Sequence, residues 1–166
     1  MYYTINEFLE DWKTESEATL KIFKNITDES LNMTMLNYKR TIGRLAWHIT
    51  SSIGETMKAA GSPIDAIEES DDQPNSASKI IEEYEKASNN MITKIKSDWT
   101  DAALKEEVGM FGEMWTKEFT LKVIITHQIH HRSQMTVLMR QAGLKVPGLY
   151  GPSYEEWQQF GMEPAK

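Results

Sequence analysis

Apolar residues recur at three- and four-residue intervals in four long stretches of this chain, and no stretch alternates apolar and polar residues long enough to make a convincing strand. That period is the buried stripe of an amphipathic helix, so the pattern predicts four helices of roughly 20 residues. The first carries Ile5, Phe8, Leu9, Trp12, Thr19 and Phe23 on its stripe and ends near Lys24 to Asn25, before the polar stretch Thr27-Asp-Glu-Ser-Leu-Asn. The second runs from about Thr41 to Ala60, with Ile42, Leu45, Ile49, Ile53, Met57 and Ala60 apolar, and stops at Gly61-Ser-Pro. The third spans Lys79 to about Lys96 and buries Ile80, Ile81, Tyr84, Ala87, Met91, Ile92 and Ile95. The fourth starts near Thr116 and continues to Gln141, with Gly143 placed as the left-handed residue that closes a helix.

The connectors are long. Asp65 to Ser78 is rich in Asp, Glu, Ser, Asn and Gln and holds Pro74, which predicts a loop with a short helical turn at Ile64 to Glu69. Its position between two helices suggests a crossover connection. Asp98 to Trp115, marked by Gly109 and Gly112, reads as a second non-helical connector. After Gly143 a Pro/Gly-rich tail leads to Tyr154-Glu-Glu-Trp-Gln-Gln-Phe, whose Trp157 and Phe160 are expected to pack back on the helices. The expected fold is therefore all-α, a four-helix bundle with long crossover connections and a short C-terminal helical tail, forming one domain over residues 1–166.

Composition narrows the chemistry. Apolar residues make up 40% and charged residues 26%, which suits a globular chain rather than a disordered or fibrous one. There is no cysteine, so disulfides, thiolate ligands and a cysteine nucleophile are excluded, and any metal must take nitrogen or oxygen ligands. The net charge is −7 with basic residues scattered, which disfavours a nucleic-acid partner. No apolar run suits a membrane span and no signal peptide is visible, so a cytoplasmic location is expected. Five tryptophans and ten methionines, mostly in helical stretches, read as packing residues.

Two of the four histidines, His127 and His131, stand four apart in Thr-His-Gln-Ile-His-His-Arg-Ser-Gln. Residues at that spacing lie about 6 Å apart on one helix face, so both imidazoles can reach one ion. The same arc carries Thr120, Ile124, Gln134 and Leu138. His130 lies to one side of this stripe, as a hydrogen-bond partner of the pair or a polar surface residue. The remaining histidine, His48, falls about 100° from the apolar centre of the second helix, and phase alone reads it as a flank residue.

The segment Arg44-Leu-Ala-Trp-His48-Ile in the second helix and His127-Gln-Ile-His-His131-Arg-Ser-Gln134 in the fourth resemble the DinB-like family of bacterial metal-binding four-helix bundles. The tail Gly143-Leu-Lys-Val-Pro-Gly-Leu-Tyr150 matches too, and the resemblance covers nearly the whole chain from Ile26 onward. One departure is Ser133, where the family often has glycine. The resemblance implies that His48, His127 and His131 bind one divalent metal cation, zinc or nickel. Three neutral imidazoles leave a fourth position open, as in catalytic sites.

Relatives with assigned activities resemble transferases that activate a low-molecular-weight thiol, among them bacillithiol and mycothiol transferases and a mycothiol-dependent isomerase. The implied function is a metal-dependent thiol S-transferase in detoxification or stress response. The alternative is a non-catalytic metal- or ligand-binding bundle that self-associates, since family members often look dimeric. The implied partners are a small-molecule thiol and a second copy of the chain, with no nucleic acid and no membrane. Gln134 and Glu55 are the nearest polar residues to the histidines, as orienting groups or a base. Arg132 and Arg140 read as surface ion pairs, with an acidic thiol as the alternative target, and Glu68 to Asp72 as a solvated loop.

Overall fold

A computed structural model describes residues 1–35 and 39–163 of the chain. Its four long helices are α1 (Ile5–Phe23), α2 (Ile42–Ala59), α3 (Ala77–Asp98) and α4 (Lys117–Gln141). The starts of α1, α2 and α4 are set by hydroxyl side chains that accept otherwise orphaned backbone N–H groups, while at α3 the Ala77 amide donates to Asp28 at 2.7 Å. Thr4 accepts from the Glu7 amide at 3.2 Å, Thr41 from the Arg44 amide at 3.0 Å, and Thr116 from the Phe119 amide at 3.1 Å. Gly143, at φ 72°, takes the left-handed position beyond α4 that its sequence place predicts.

Each helix packs against two others. α2 lies against α3 and α4, and α1 lies against the same two, so α1 and α2 occupy one diagonal of the bundle. The apolar stripes of all four meet in one core that includes Phe8, Trp12, Ile53, Tyr84, Met91 and Leu121. Directions follow from contacts at the ends. Trp99 at the end of α3 donates its indole N–H to Ser62, just past α2, at 2.7 Å. The Ile5 amide at the start of α1 donates to Asp101 at 2.9 Å, and Tyr2 donates to Glu118 at the start of α4. So α2 and α3 run parallel, with α1 and α4 opposed to them.

Parallel neighbours require the chain to return the length of a helix, and residues 60–76 do this by lying along α2. The approach is close: a Cβ on Gly54 would stand 2.8 Å from the Ala66 Cβ, and one on Gly43 would run into the Gln73 side chain. The expected crossover connection is therefore present. The helical turn expected at Ile64 to Glu69 does not form. Carbonyls of this segment are taken by side chains of neighbouring helices instead, Asp65's by Asn90 at 2.7 Å and Glu69's by Arg44 at 3.0 Å.

The connector after α3 contains a hairpin that the sequence pattern did not reveal, β1 (Glu107–Met110) and β2 (Glu113–Thr116), paired antiparallel with Met110 opposite Glu113. Strands of four residues are too short to display an alternating period. The two-residue turn, Phe111-Gly112, has φ of 53° and 85°. Two consecutive positive values are what a type I′ turn needs, and a non-glycine residue there costs about 1–2 kcal/mol.

The tail departs from expectation as well. Trp157 is half-buried and Phe160 is 62% exposed, so Phe160 does not pack on the bundle. Val146 and Tyr150 anchor this segment instead. Tyr150 hydrogen-bonds Glu15 at 2.8 Å and also accepts from Arg132. Arg132 is not a surface residue: it is 1% exposed, and its guanidinium joins Glu15 at 2.6 Å and Thr19 at 3.1 Å. A buried cation must be fully paired, and here it ties α4 to α1 and to the tail. Arg140 does form the expected surface pair, with Glu155 at 3.2 Å. No helix among the described residues is long and apolar enough to cross a membrane.

Replacing Arg132 with Met leaves the Glu15 carboxylate without its cation, and the expected loss of stability is about 3 kcal/mol. Urea unfolding of the variant measures it. A change below about 1 kcal/mol, the range of surface pairs, would show that the buried pair does not hold these elements together.

Candidate metal centre

α2 and α4 lie side by side, and this packing brings together three histidines. His127 and His131 project from successive turns of α4 with ring centroids 4.5 Å apart. His48 enters from α2, 4.9 Å from the His127 ring and 4.7 Å from the His131 ring. One nitrogen from each of the three lies within 4.8 Å of the others. The flank position of His48 is explained by the packing: the apolar centre of α2 faces the core, while the side carrying His48 turns toward α4 and the crossover segment.

The outer nitrogens are anchored. His48 Nδ1 stands 3.0 Å from Glu69 Oε2, and a carboxylate can only accept, so Nδ1 carries the proton and Nε2 keeps its lone pair. His131 Nδ1 likewise donates to Gln134 Oε1 at 2.8 Å. The Nε2 atoms of His48 and His127 face each other at 3.1 Å. With His48 Nε2 as acceptor, His127 Nε2–H donates to it, and a bound cation would take the place of that proton. Tetrahedral Zn–N bonds of about 2.0–2.1 Å place ligand nitrogens about 3.3 Å apart, close to the His48–His127 separation, and the three histidines together could hold a metal ion.

Glu69 is held by more than His48. Ser51 donates to the same oxygen at 2.5 Å, and Arg44 pairs with the other carboxylate oxygen while bonding the Glu69 carbonyl at 3.0 Å. Burial alone would raise the Glu69 pKa, but the hydrogen bonds from Ser51 and His48 and the charge of Arg44 outweigh it and hold the carboxyl below its usual range. Sequence reasoning read Glu68 to Asp72 as a solvated loop. The loop instead docks on α2, with Trp47 Nε1 donating to the Asp71 carbonyl at 3.0 Å. A signal was available: Arg44, Trp47, His48 and Ser51 recur at helical spacing on one face that carries no apolar core residue except Trp47.

The other polar residues near the site have distinct places. Gln134 bridges His131 to His130, whose Nε2 accepts from its amide nitrogen at 3.1 Å, so His130 stands outside the cluster. Glu55 makes no hydrogen bond or ion pair to the histidines. It lines a cavity of about 290 Å³ that opens beside His48 and His127 and is roofed by the hairpin at Gly109, Met110 and Phe111. Arg132 and Arg140 are engaged elsewhere, while the charge of Arg40 is felt at His127 and His131.

Burial, then the neighbouring imidazoles, pushes the His127 pKa down from 6.5 to about 4, and burial lowers His131 as well. Both imidazoles are thus neutral at pH 7, the form that binds metal. The sign for stability follows from proton counts. Above pH 6.5 neither state protonates His127. Between 6.5 and about 4 the unfolded chain takes up a proton that the folded chain refuses, so the metal-free protein loses stability as pH falls through that window. Unfolding midpoints of chelated protein at pH 7 and pH 5, compared with a His127→Gln variant, measure the term. An equal drop in both proteins would assign it to other groups.

The comparisons with known proteins agree with this architecture. The family model described as the DinB family matches residues 1–165. The uncharacterized protein YrdA of Bacillus subtilis strain 168 is 42% identical over 166 residues, covering 100% of this chain and 99% of its own. A solved DinB-like protein of Bacillus cereus ATCC 10987 has a TM-score of 0.87 at 40% identity, over 90% of this chain and 100% of that one. The DinB-like protein YjoA of B. subtilis shares the fold, with a TM-score of 0.68 at 14% identity over 89% of this chain and 99% of its own. With its four-helix architecture and its cluster of histidines from the second and fourth helices, the chain belongs to the DinB family.

Proposed function

We propose that His48, His127 and His131 bind one divalent cation, zinc or nickel, and that the chain is a metal-dependent S-transferase acting on a small-molecule thiol. The observation that carries this reading is the arrangement of the rings: outer nitrogens of His48 and His131 tied to Glu69 and Gln134, and inner nitrogens gathered beside an open cavity. A cation held by three neutral imidazoles keeps its full charge and supplies a Lewis acid that lowers the pKa of a thiol or of water.

The chain's own residues do the rest. Glu69 fixes the tautomer and orientation of His48 and makes its Nε2 a stronger donor, and Gln134 orients His131. The hairpin and α4 screen one side of the site from water, so a thiol there reacts next to apolar walls. In the transfer, the thiol gives its proton to water, its sulfur bonds to an electrophilic carbon, and the leaving group departs with its bonding pair. The chain contains no cysteine, so that sulfur must come from a cosubstrate.

Metal content by elemental analysis tests the ligands. The expected result is one equivalent in the wild type and none in His48→Ala or His127→Ala, and stoichiometric metal in either variant would overturn the assignment. Glu69→Gln retains the three ligands, and its metal affinity is expected to fall about 10- to 100-fold. The reaction is tested by consumption of a bacillithiol-like thiol with a model electrophile such as 1-chloro-2,4-dinitrobenzene or monochlorobimane. Turnover lost on chelation and restored by metal supports the transferase, and none across such a panel argues against it.

A further inference from the structure

The cavity beside His48 and His127 has two unlike parts. Val123 and Ile124 of α4 and Met110 of the hairpin give it apolar walls. The one carboxylate among its lining residues is Glu55, which has no hydrogen bond or ion pair among the described residues. Lys58, a turn further along α2, is turned to Glu68 at 3.5 Å. Arg40 is not among the walls. Glu55 lies seven residues beyond His48 on the same side of α2, a rise of about 10 Å. A group paired with Glu55 therefore sits well away from the histidine end.

Phe111 stands at the mouth. It is 88% exposed, and its backbone is in the left-handed region, where an aromatic residue is costly and Asn or Gly would be relaxed. A strained position occupied by an exposed ring beside a cavity is poorly explained by the hairpin itself, since Asn-Gly makes the same turn at lower cost. The ring's nearest aromatic neighbour is Trp115 at 5.8 Å, which leaves most of its surface free to cover a ligand.

We propose that this cavity takes an elongated apolar small molecule bearing a protonated amine, its amine on Glu55, its other end at the histidines, and its body covered by Phe111. The inference rests on the metal reading only in what it places at the histidine end. Charge complementarity selects the head group: Glu55 is exposed, and its unpaired carboxylate attracts a cation and repels an anion by the few-fold that a solvated pair gives. Keeping the amine two helical turns from the histidines also separates it from a bound metal. Glu55 and Phe111 are then specificity residues, one for the head and one for the body.

Calorimetric titration of the protein as purified, at pH 7, with 3-phenylpropylamine, 3-phenylpropan-1-ol and 3-phenylpropionate separates head from body. The amine is expected to bind about three- to fivefold tighter than the alcohol, with the carboxylate weakest. Glu55→Gln should bring the amine to the affinity of the alcohol without changing metal content. Phe111→Asn should weaken all three about threefold or more while raising the melting temperature, a combination that a purely structural Phe111 would not give. Equal affinity for the three heads, an amine preference that survives in Glu55→Gln, or no amine binding at about 10 mM probe overturns the proposal. Elemental analysis of the same samples decides the metal reading independently, so either inference can fail while the other stands.

Discussion

The carboxylate of Glu69 is the contact on which both the chain path and the site geometry turn. It receives Ser51, His48 and Arg44 from successive turns of α2, so one side chain clamps the crossover segment to the helix it passes. Hydrogen bonds to an ionised group contribute about 1.5–3 kcal/mol each when shielded, and less where water competes. Their directional effect survives that discount. A parallel α2 and α3 require residues 60–76 to travel back along the bundle, and the clamp makes this return path also the support of a histidine. Folding of the loop and orientation of the site are one event.

This dual use explains the composition of α2. One side is apolar and enters the core through Ile42, Leu45, Ile49 and Ile53. Another carries Arg44, Trp47, His48 and Ser51 and meets the loop. Gly54 sits where the segment comes close, a Cβ there standing 2.8 Å from the Ala66 Cβ, and Gly43 leaves room for the Gln73 side chain and the Leu31 carbonyl. A helix that binds neighbours on three sides cannot have a single clean stripe. The same holds for α4, which buries Arg132 and Gln128 toward α1 and His131 toward α2.

The four helices were legible because burying one face imposes a period that local sequence must display, and the close of α4 was legible because Gly143 acts on neighbours within a few residues. The His127/His131 pair was legible for the same reason. What the sequence hid is what depends on distant partners. His48 and Glu69 are 21 residues apart with a helix end and a loop between them, and nothing periodic links them. Resemblance supplied His48, not its phase. Arg132 looked like a surface residue because its partners, Glu15 and Tyr150, are distant along the chain on either side. The hairpin escaped because four-residue strands are too short for a pattern and because its turn uses Phe111 where Asn would have signalled it.

That last residue shows how local cost and site geometry connect. A turn built from the favoured residues would leave the hairpin more stable and its tip polar. The chain instead has a bulky ring at a left-handed position, next to Met110, which is buried, and beside the cavity that reaches His48 and His127. Strain is tolerated only when surrounding structure over-determines it, and here β2 runs directly into α4 through Thr116, whose hydroxyl caps that helix. The backbone on both sides of the turn is thereby fixed: β1 is paired to β2, and β2 is continuous with the helix that carries two of the three histidines. A shift of the tip relative to those histidines would have to break strand pairing or the start of α4. The hairpin is therefore a wall of the cavity held by its pairing and by α4, with the Phe111 ring exposed at its tip.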